Sequence, residues 1–174
     1  QRDYDVTGVQ TCALPILDAR KWPSCVCVYE PSWHQGVVGL IASRVRERCH
    51  RPAIAFARET EGFLKGSARS IPGVHVRDLL EAVSSMHPEL IVRFGGHAMA
   101  AGLTIAKEHY QDFTTAVSNQ PERLYPEADF SGAIVSDGVL PESACCLQFA
   151  KSLREAGTGG SGFPEPLWNG GCTI

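Results

Sequence analysis

Apolar positions follow two different periods between residues 24 and 119, and the period switches several times. SCVCVYE (24–30) reads as a short apolar strand ended by Pro31, because a proline pushes the residue before it out of helical geometry. In HQGVVGLIASRVRERCH (34–50), Val37, Ile41, Val45 and Cys49 fall four apart while Arg44, Arg46 and Arg48 mostly take other faces, which predicts an amphipathic helix. PAIAFA (52–57) predicts a second, buried strand, and GFLKGSARSI (62–71) a third, more polar one. VRDLLEAVSS (76–85) predicts a helix with Val76, Leu79, Leu80 and Val83 as its stripe, and Asp78 suits the positive end of its dipole. An apolar run, ELIVRF (89–94), then leads through a glycine–histidine stretch to a strand, GLTIA (102–106). The helix KEHYQDFTTAVSN (107–119) follows, buried through Tyr110, Phe113 and Val117.

Strands alternating with helices predict an α/β fold, a compact sheet-and-helix domain over 17–120. Beyond Pro121 the pattern changes. EADFSGAIVSDGVLP alternates around Asp137-Gly138 and predicts a hairpin, SACCLQFAKSLREAG predicts a helix closed by Gly157, and the remainder reads as loop. A β-containing second domain is therefore expected over 121–174. The first sixteen residues have no period and no cap. YDVTGVQTCALPI resembles the translation of a sequencing-library adapter, so 1–16 is expected to be non-native and is set aside from the fold.

Composition narrows the class without naming a chemistry. No apolar run approaches the ~20 residues of a membrane span, and nothing near the start has the order of a signal peptide. The seven cysteines include no CxxC pair: Cys25 and Cys27 alternate on a strand, and Cys145 and Cys146 fall within a predicted helix. Buried free thiols in a reducing cytoplasm are expected. The net charge of -3 conceals an asymmetry, with twelve Lys/Arg against eight Asp/Glu over 20–110 and three against eight from Gln111 onward. The middle of the chain is the part suited to an anion.

Three stretches could carry such binding. In RFGGHAMAAGLTI (93–105), Gly95 and Gly96 could let backbone N–H groups converge on an anion beside His97, or could mark a tight packing corner with a satisfied histidine. In KGSARS (65–70), Lys65, Ser67 and Arg69 share one face of a strand, an arrangement that suits a phosphate backbone and equally suits a solvated sheet face. In PSWHQGVVG (31–39), Trp33 could stack on a base, but a staple anchoring the following helix accounts for it better. The six histidines are scattered, with no HExxH pattern, no Asp-rich cluster and no GxSxG elbow. The chain holds binding groups but no self-sufficient catalytic centre.

Taken in order, WHQGVVGLIASRVRER, RPAIAF, KGSARSI, RDLLEAV and FGGHAMAAGLTI resemble the RecJ-type single-stranded-DNA-specific exonucleases of the DHH superfamily. The resemblance covers about residues 24 to 118, the DHH-associated domain with its Gly-Gly-His motif. FPEPLW resembles the start of the OB-like domain that follows in that family, although Thr158 stands where a proline is usual. The resemblance implies a 5′-to-3′ exonuclease of DNA repair and recombination in the cytoplasm, acting on single-stranded DNA with Mn²⁺ or Mg²⁺. It implies that the metals belong to an N-terminal DHH domain, whose Asp-His-His sequence occurs nowhere here. This chain would then be inactive alone, with that domain as its partner, no metal of its own and no membrane association. The residues the resemblance assigns to the DNA backbone are Gly95, Gly96 and His97, with Ser67, Arg69 and Lys65 beside them, and His97 could assist the reaction.

Overall fold

The computed structural model describes residues 22–60, 62–133, 136–157 and 165–170. The chain divides into two compact units, one through Gly132 and one from Ala133 onward. The adapter-like segment, and Thr158, Phe163 and Pro164 of the tail, lie outside the described residues.

The first unit is of the α/β class. Its sheet contains β1 (Val26–Tyr29), β2 (Ala53–Thr60), β3 (Phe63–Arg69), β4 (Arg93–Gly96) and β5 (Ala100–Ala106), in the spatial order β1-β2-β3-β5-β4. Strands β1 and β2 are parallel and are joined by helix α1 (Val38–Cys49), as a parallel pair requires a crossover. The other neighbours are antiparallel. Helices α2 (Val76–Met86), α3 (Tyr110–Ser118) and α4 (Gln120–Leu124) complete the unit. The segment after α4 returns to it: the Tyr125 hydroxyl donates to the His75 carbonyl at 3.2 Å, and the Arg51 guanidinium donates to the Phe130 carbonyl.

Strand alternation gives the sheet two unlike faces. Ile54, Phe56, Leu64, Ala68, Leu103 and Ile105 point to one side, where α2 brings Val76, Leu79, Leu80 and Val83 and α3 brings Phe113 and Val117. Phe56 meets Phe113 edge to face at 5.7 Å, the arrangement that ring quadrupoles favour. On the other side α1 lays Val38, Ala42 and Val45 over Ala53, Ala55 and Ala57, with Trp33 packed at the margin as a staple would be. The buried stripe of α1 differs from the expected one. Val37 is the N-cap and 43% exposed, and the buried line is Val38, Ala42 and Val45. A helix lying on alanines packs through its own small residue, which a count of large apolar side chains passes over. Helix α1 packs on β2 and β3, and among the described residues no helix lies over Gly95 and Gly102 on the β5–β4 side of this face.

In the glycine–histidine stretch, Gly95 and Gly96 end a paired strand, and the tight turn is His97–Met99. The turn is held by the Ser70 N–H on the Met99 carbonyl at 3.0 Å and the Val76 N–H on the Ala98 carbonyl at 2.8 Å.

In the second unit, β6 (Gly138–Val139) and β7 (Trp168–Asn169) pair in parallel, and α5 (Leu147–Glu155) lies between them in sequence. Among the described residues, Gly138 and Val139 thus pair with Trp168 and Asn169 rather than across the expected Asp137-Gly138 turn. Asp137 instead donates its N–H to the Leu167 carbonyl at 2.7 Å and accepts the Leu167 N–H on its carboxylate at 2.8 Å. Gly157 follows the end of α5 with φ +126°, the glycine closure expected there. Cys145 and Cys146 precede α5 and are exposed, contrary to the expectation of buried thiols within a helix; Cys25 is the buried one among the described cysteines.

Candidate nucleic-acid interface

The residues singled out in β3 lie on the α1 face of the sheet where its open β5–β4 part begins, with Ser67 and Arg69 half-buried beside the first turn of α1. Lys65, Ser67 and Arg69 alternate with the buried Leu64 and Ala68 and so share one face. Register then builds three rows across the strands. Lys65 pairs with Thr104, which pairs with Arg93; Ser67 pairs with Gly102, which pairs with Gly95; Arg69 pairs with Ala100, whose carbonyl accepts the His97 N–H at 2.8 Å. Rows on one face are two residues apart, about 6.7 Å. The middle row has almost no side chains, so it forms a trough floored by Gly102 and Gly95. One wall is Lys65, Thr104 and Arg93, and a cavity of about 260 Å³ opens beside it.

Arg69 and Ser67 act as one unit. Arg69 Nη1 donates to Ser67 Oγ at 2.8 Å and to the Ala68 carbonyl at 2.9 Å. These bonds engage both Nη1 hydrogens, leave the Nε and Nη2 donors of the guanidinium, and leave the Ser67 hydroxyl hydrogen free to point outward. The first turn of α1 sets the position: a β-carbon on Gly39 would come within 2.8 Å of Arg69 Nη2.

The two glycines of the motif do different things. Gly95 is exposed, and a β-carbon there would meet nothing within 4 Å, so its bareness opens the trough. Gly96 has φ +147°, and a β-carbon would come within 2.5 Å of Ala101 Cα, so the hairpin itself requires glycine. His97 begins the turn, exposed, and its ring has no partner among the described residues.

The sequence did not single out Glu59, Arg93 or Thr104. Arg93 Nη2 lies 2.9 Å from Glu59 Oε1, and Arg93 Nε donates to Thr104 Oγ1 at 3.2 Å. Thr104 in turn donates to Glu59 Oε2 at 3.3 Å. Arg93 and Thr104 could have been found, since period two carries the face of Gly95 and Gly102 onto them. Glu59 sits where the β2–β3 register shifts, and no pattern in the sequence marks that bulge.

No group of three or more His, Cys, Asp and Glu side chains suited to a metal occurs among the described residues. The open face does not fit a divalent cation: its carboxylate, Glu59, is engaged by Arg93 and Thr104, and Lys65 and Arg69 add positive charge. The arrangement offers cationic and hydroxyl donors around an uncluttered floor, which suits phosphate oxygens. No helix among the described residues is long and apolar enough to cross a membrane.

This fold, with its Gly-Gly-His hairpin beside the Ser67–Arg69 pair, defines a family. Residues 23–121 match the DHHA1 domain, and the chain belongs to that family. It is 46% identical over 151 residues to the single-stranded-DNA-specific exonuclease RecJ of Haemophilus influenzae, covering 87% of this chain and 26% of that protein. It is 45% identical over 148 residues to the Escherichia coli RecJ, covering 85% and 26%. The chain thus spans about a quarter of the length of these curated relatives. Among solved structures it resembles Thermus thermophilus RecJ in complex with Mn²⁺, with a TM-score of 0.65 and 27% identity over 84% of this chain and 21% of that one. The same protein in complex with Mg²⁺ gives a TM-score of 0.64, covering 85% of this chain and 22% of that one.

Proposed function

We propose that the open half of the sheet holds the sugar–phosphate backbone of single-stranded DNA in a RecJ-type 5′-to-3′ exonuclease of the cytoplasm. The observation that carries this reading is the Ser67–Arg69 pair beside the glycine-floored trough, with Lys65 on the same strand face. A phosphate over Ser67 accepts from its hydroxyl and from the free edge of the Arg69 guanidinium. Gly95 leaves room for the strand, Gly96 keeps the hairpin closed, and His97 at its tip can donate to a further phosphate oxygen. These contacts fix the position of the backbone and read no sequence. Their contribution to hydrolysis is to hold the strand and offset its charge.

The relatives' Mn²⁺ and Mg²⁺ complexes support a metal-dependent reaction for the intact protein. Because this face does not fit a metal, the DHH domain is the partner that carries it, and the 174-residue chain alone binds without cleaving. The second unit is read as part of an OB-like domain. Binding of 5′-labelled thymidylate strands of two to twenty nucleotides tests the reading. Affinity that rises with length supports the exonuclease. Equal affinity for a dinucleotide and a long strand points to a small-molecule phosphodiesterase instead, and cleavage by this chain with Mn²⁺ contradicts the assignment of the metals.

A further inference from the structure

Arg93 is the outer cation of the trough, and nothing in the Ser67–Arg69 contact uses it. Its side chain is 69% exposed, yet two contacts fix it, one to Glu59 Oε1 at 2.9 Å and one to Thr104 Oγ1 at 3.2 Å. The Glu59 side chain is only 18% exposed, so the carboxylate is held in place while the guanidinium end of the pair stays open to water, which screens its charge. Placing a carboxylate at the rim of an anion-binding face also weakens that face. The arrangement makes physical sense when the pair aims Arg93 at the trough and moderates its hold.

The cavity of about 260 Å³ is bounded by Lys65 on β3 and Arg93 on β4, with Thr104 between them and Gly95 and Gly102 beneath. Two cations flanking Thr104 in one row, beside the glycine floor of the next, suit one phosphate group that each can approach from its own side. This row lies one register step, about 6.7 Å, from Ser67. A strand lying on Ser67 and Arg69 therefore continues onto Lys65 and Arg93.

We propose that Lys65 and Arg93 form a second phosphate subsite for the bound strand, with Glu59 as the positioning residue that aims Arg93 and as the counter-charge that a phosphate must outcompete. The subsite rests on the single-stranded-DNA reading above and extends it by one phosphate. Release follows from the same geometry: as the strand leaves, the Glu59 carboxylate retakes the Arg93 guanidinium, so Arg93 is not left unpaired.

The test uses the 174-residue chain and a fluorescent oligothymidylate, with affinity measured across a salt series. Arg93→Gln and Lys65→Met are each expected to weaken binding several-fold and to reduce the magnitude of the log–log salt slope by about 0.7, the share of one phosphate contact on a single strand. Glu59→Gln keeps an oxygen for Arg93 but removes the charge, and binding is expected to tighten several-fold. Arg77→Gln, an exposed change on α2 across the sheet, serves as the control and leaves the slope unchanged. Lys65 and Arg93 stand on different strands, so misfolding of one variant leaves the other as a test. Wild-type slopes in both variants, with a reduced slope in Arg69→Gln, overturn the subsite and leave the parent reading intact. Unchanged or weaker binding by Glu59→Gln overturns its counter-charge role. No binding by the unmodified chain overturns both readings.

Discussion

Gly96 stands so close to Ala101 that a β-carbon added to it would come within 2.5 Å of the Ala101 Cα, whereas the same carbon on Gly95 would meet nothing. The adjacent glycines therefore separate under substitution. Gly96→Ala forces a positive φ on an L-residue and a backbone clash, and is expected to cost about 1–3 kcal/mol in urea unfolding. Gly95→Ala is expected to leave the unfolding midpoint nearly unchanged while weakening single-stranded DNA binding, because its methyl rises from the trough floor. Equal destabilisation by both would contradict this division.

Arg69 does more than supply charge. One nitrogen is committed to Ser67 and the Ala68 carbonyl, and Nη2 lies beside Gly39 in the first turn of α1. A lysine cannot make both sets of contacts from one ammonium group. Arg69→Lys is thus expected to lose much of the affinity for an oligothymidylate, read by fluorescence anisotropy, although the net charge is kept. Affinity equal to the unmodified chain would mean that only the charge matters.

The described cysteines should sort by reactivity. Cys145 and Cys146 are exposed, while Cys25 is buried, its thiol pushed up by the hydrogen bond with Cys27 and by burial. Brief treatment with a thiol-selective alkylating reagent, followed by peptide mapping, is expected to mark Cys145 and Cys146 and to reach Cys25 only in denaturant. Early modification of Cys25 in the folded chain would count against the packing of β1.

Burial lifts the Tyr110 hydroxyl to about 12, with a further push from Cys27. Its folded value lies above the unfolded value of about 10, so its contribution to stability is whole below about pH 10 and is lost as pH climbs toward the folded value. Urea midpoints are expected to fall with pH in this window, and to fall less steeply in Tyr110→Phe. Parallel curves for the two proteins would remove Tyr110 as the cause.

Most of the first unit was legible because its signals are local and periodic. Leu79, Leu80, Val83, Phe113 and Val117 are buried where the apolar period puts them, and Lys65, Ser67 and Arg69 share the face that alternation assigns. What escaped depends on partners distant in sequence. Gly95 and Gly96 look alike until the β4–β5 register is known, since only pairing decides which one meets Ala101. Asp137-Gly138 carries a hairpin signal, but its pairing with Trp168 is a long-range choice that a dipeptide does not encode. Glu59 reaches Arg93 across two intervening strands from an irregular position in β2.

The central claim is that the Ser67–Arg69 edge of the trough grips a phosphate backbone. Equilibrium binding of oligothymidylate to the chain and to Arg69→Gln, from about 50 to 200 mM salt, tests it most directly. The expected result is affinity for the unmodified chain that falls steeply with salt, and a slope smaller in magnitude by about 0.7 in Arg69→Gln. Absent binding, or binding with the same salt slope in both proteins, would contradict the claim.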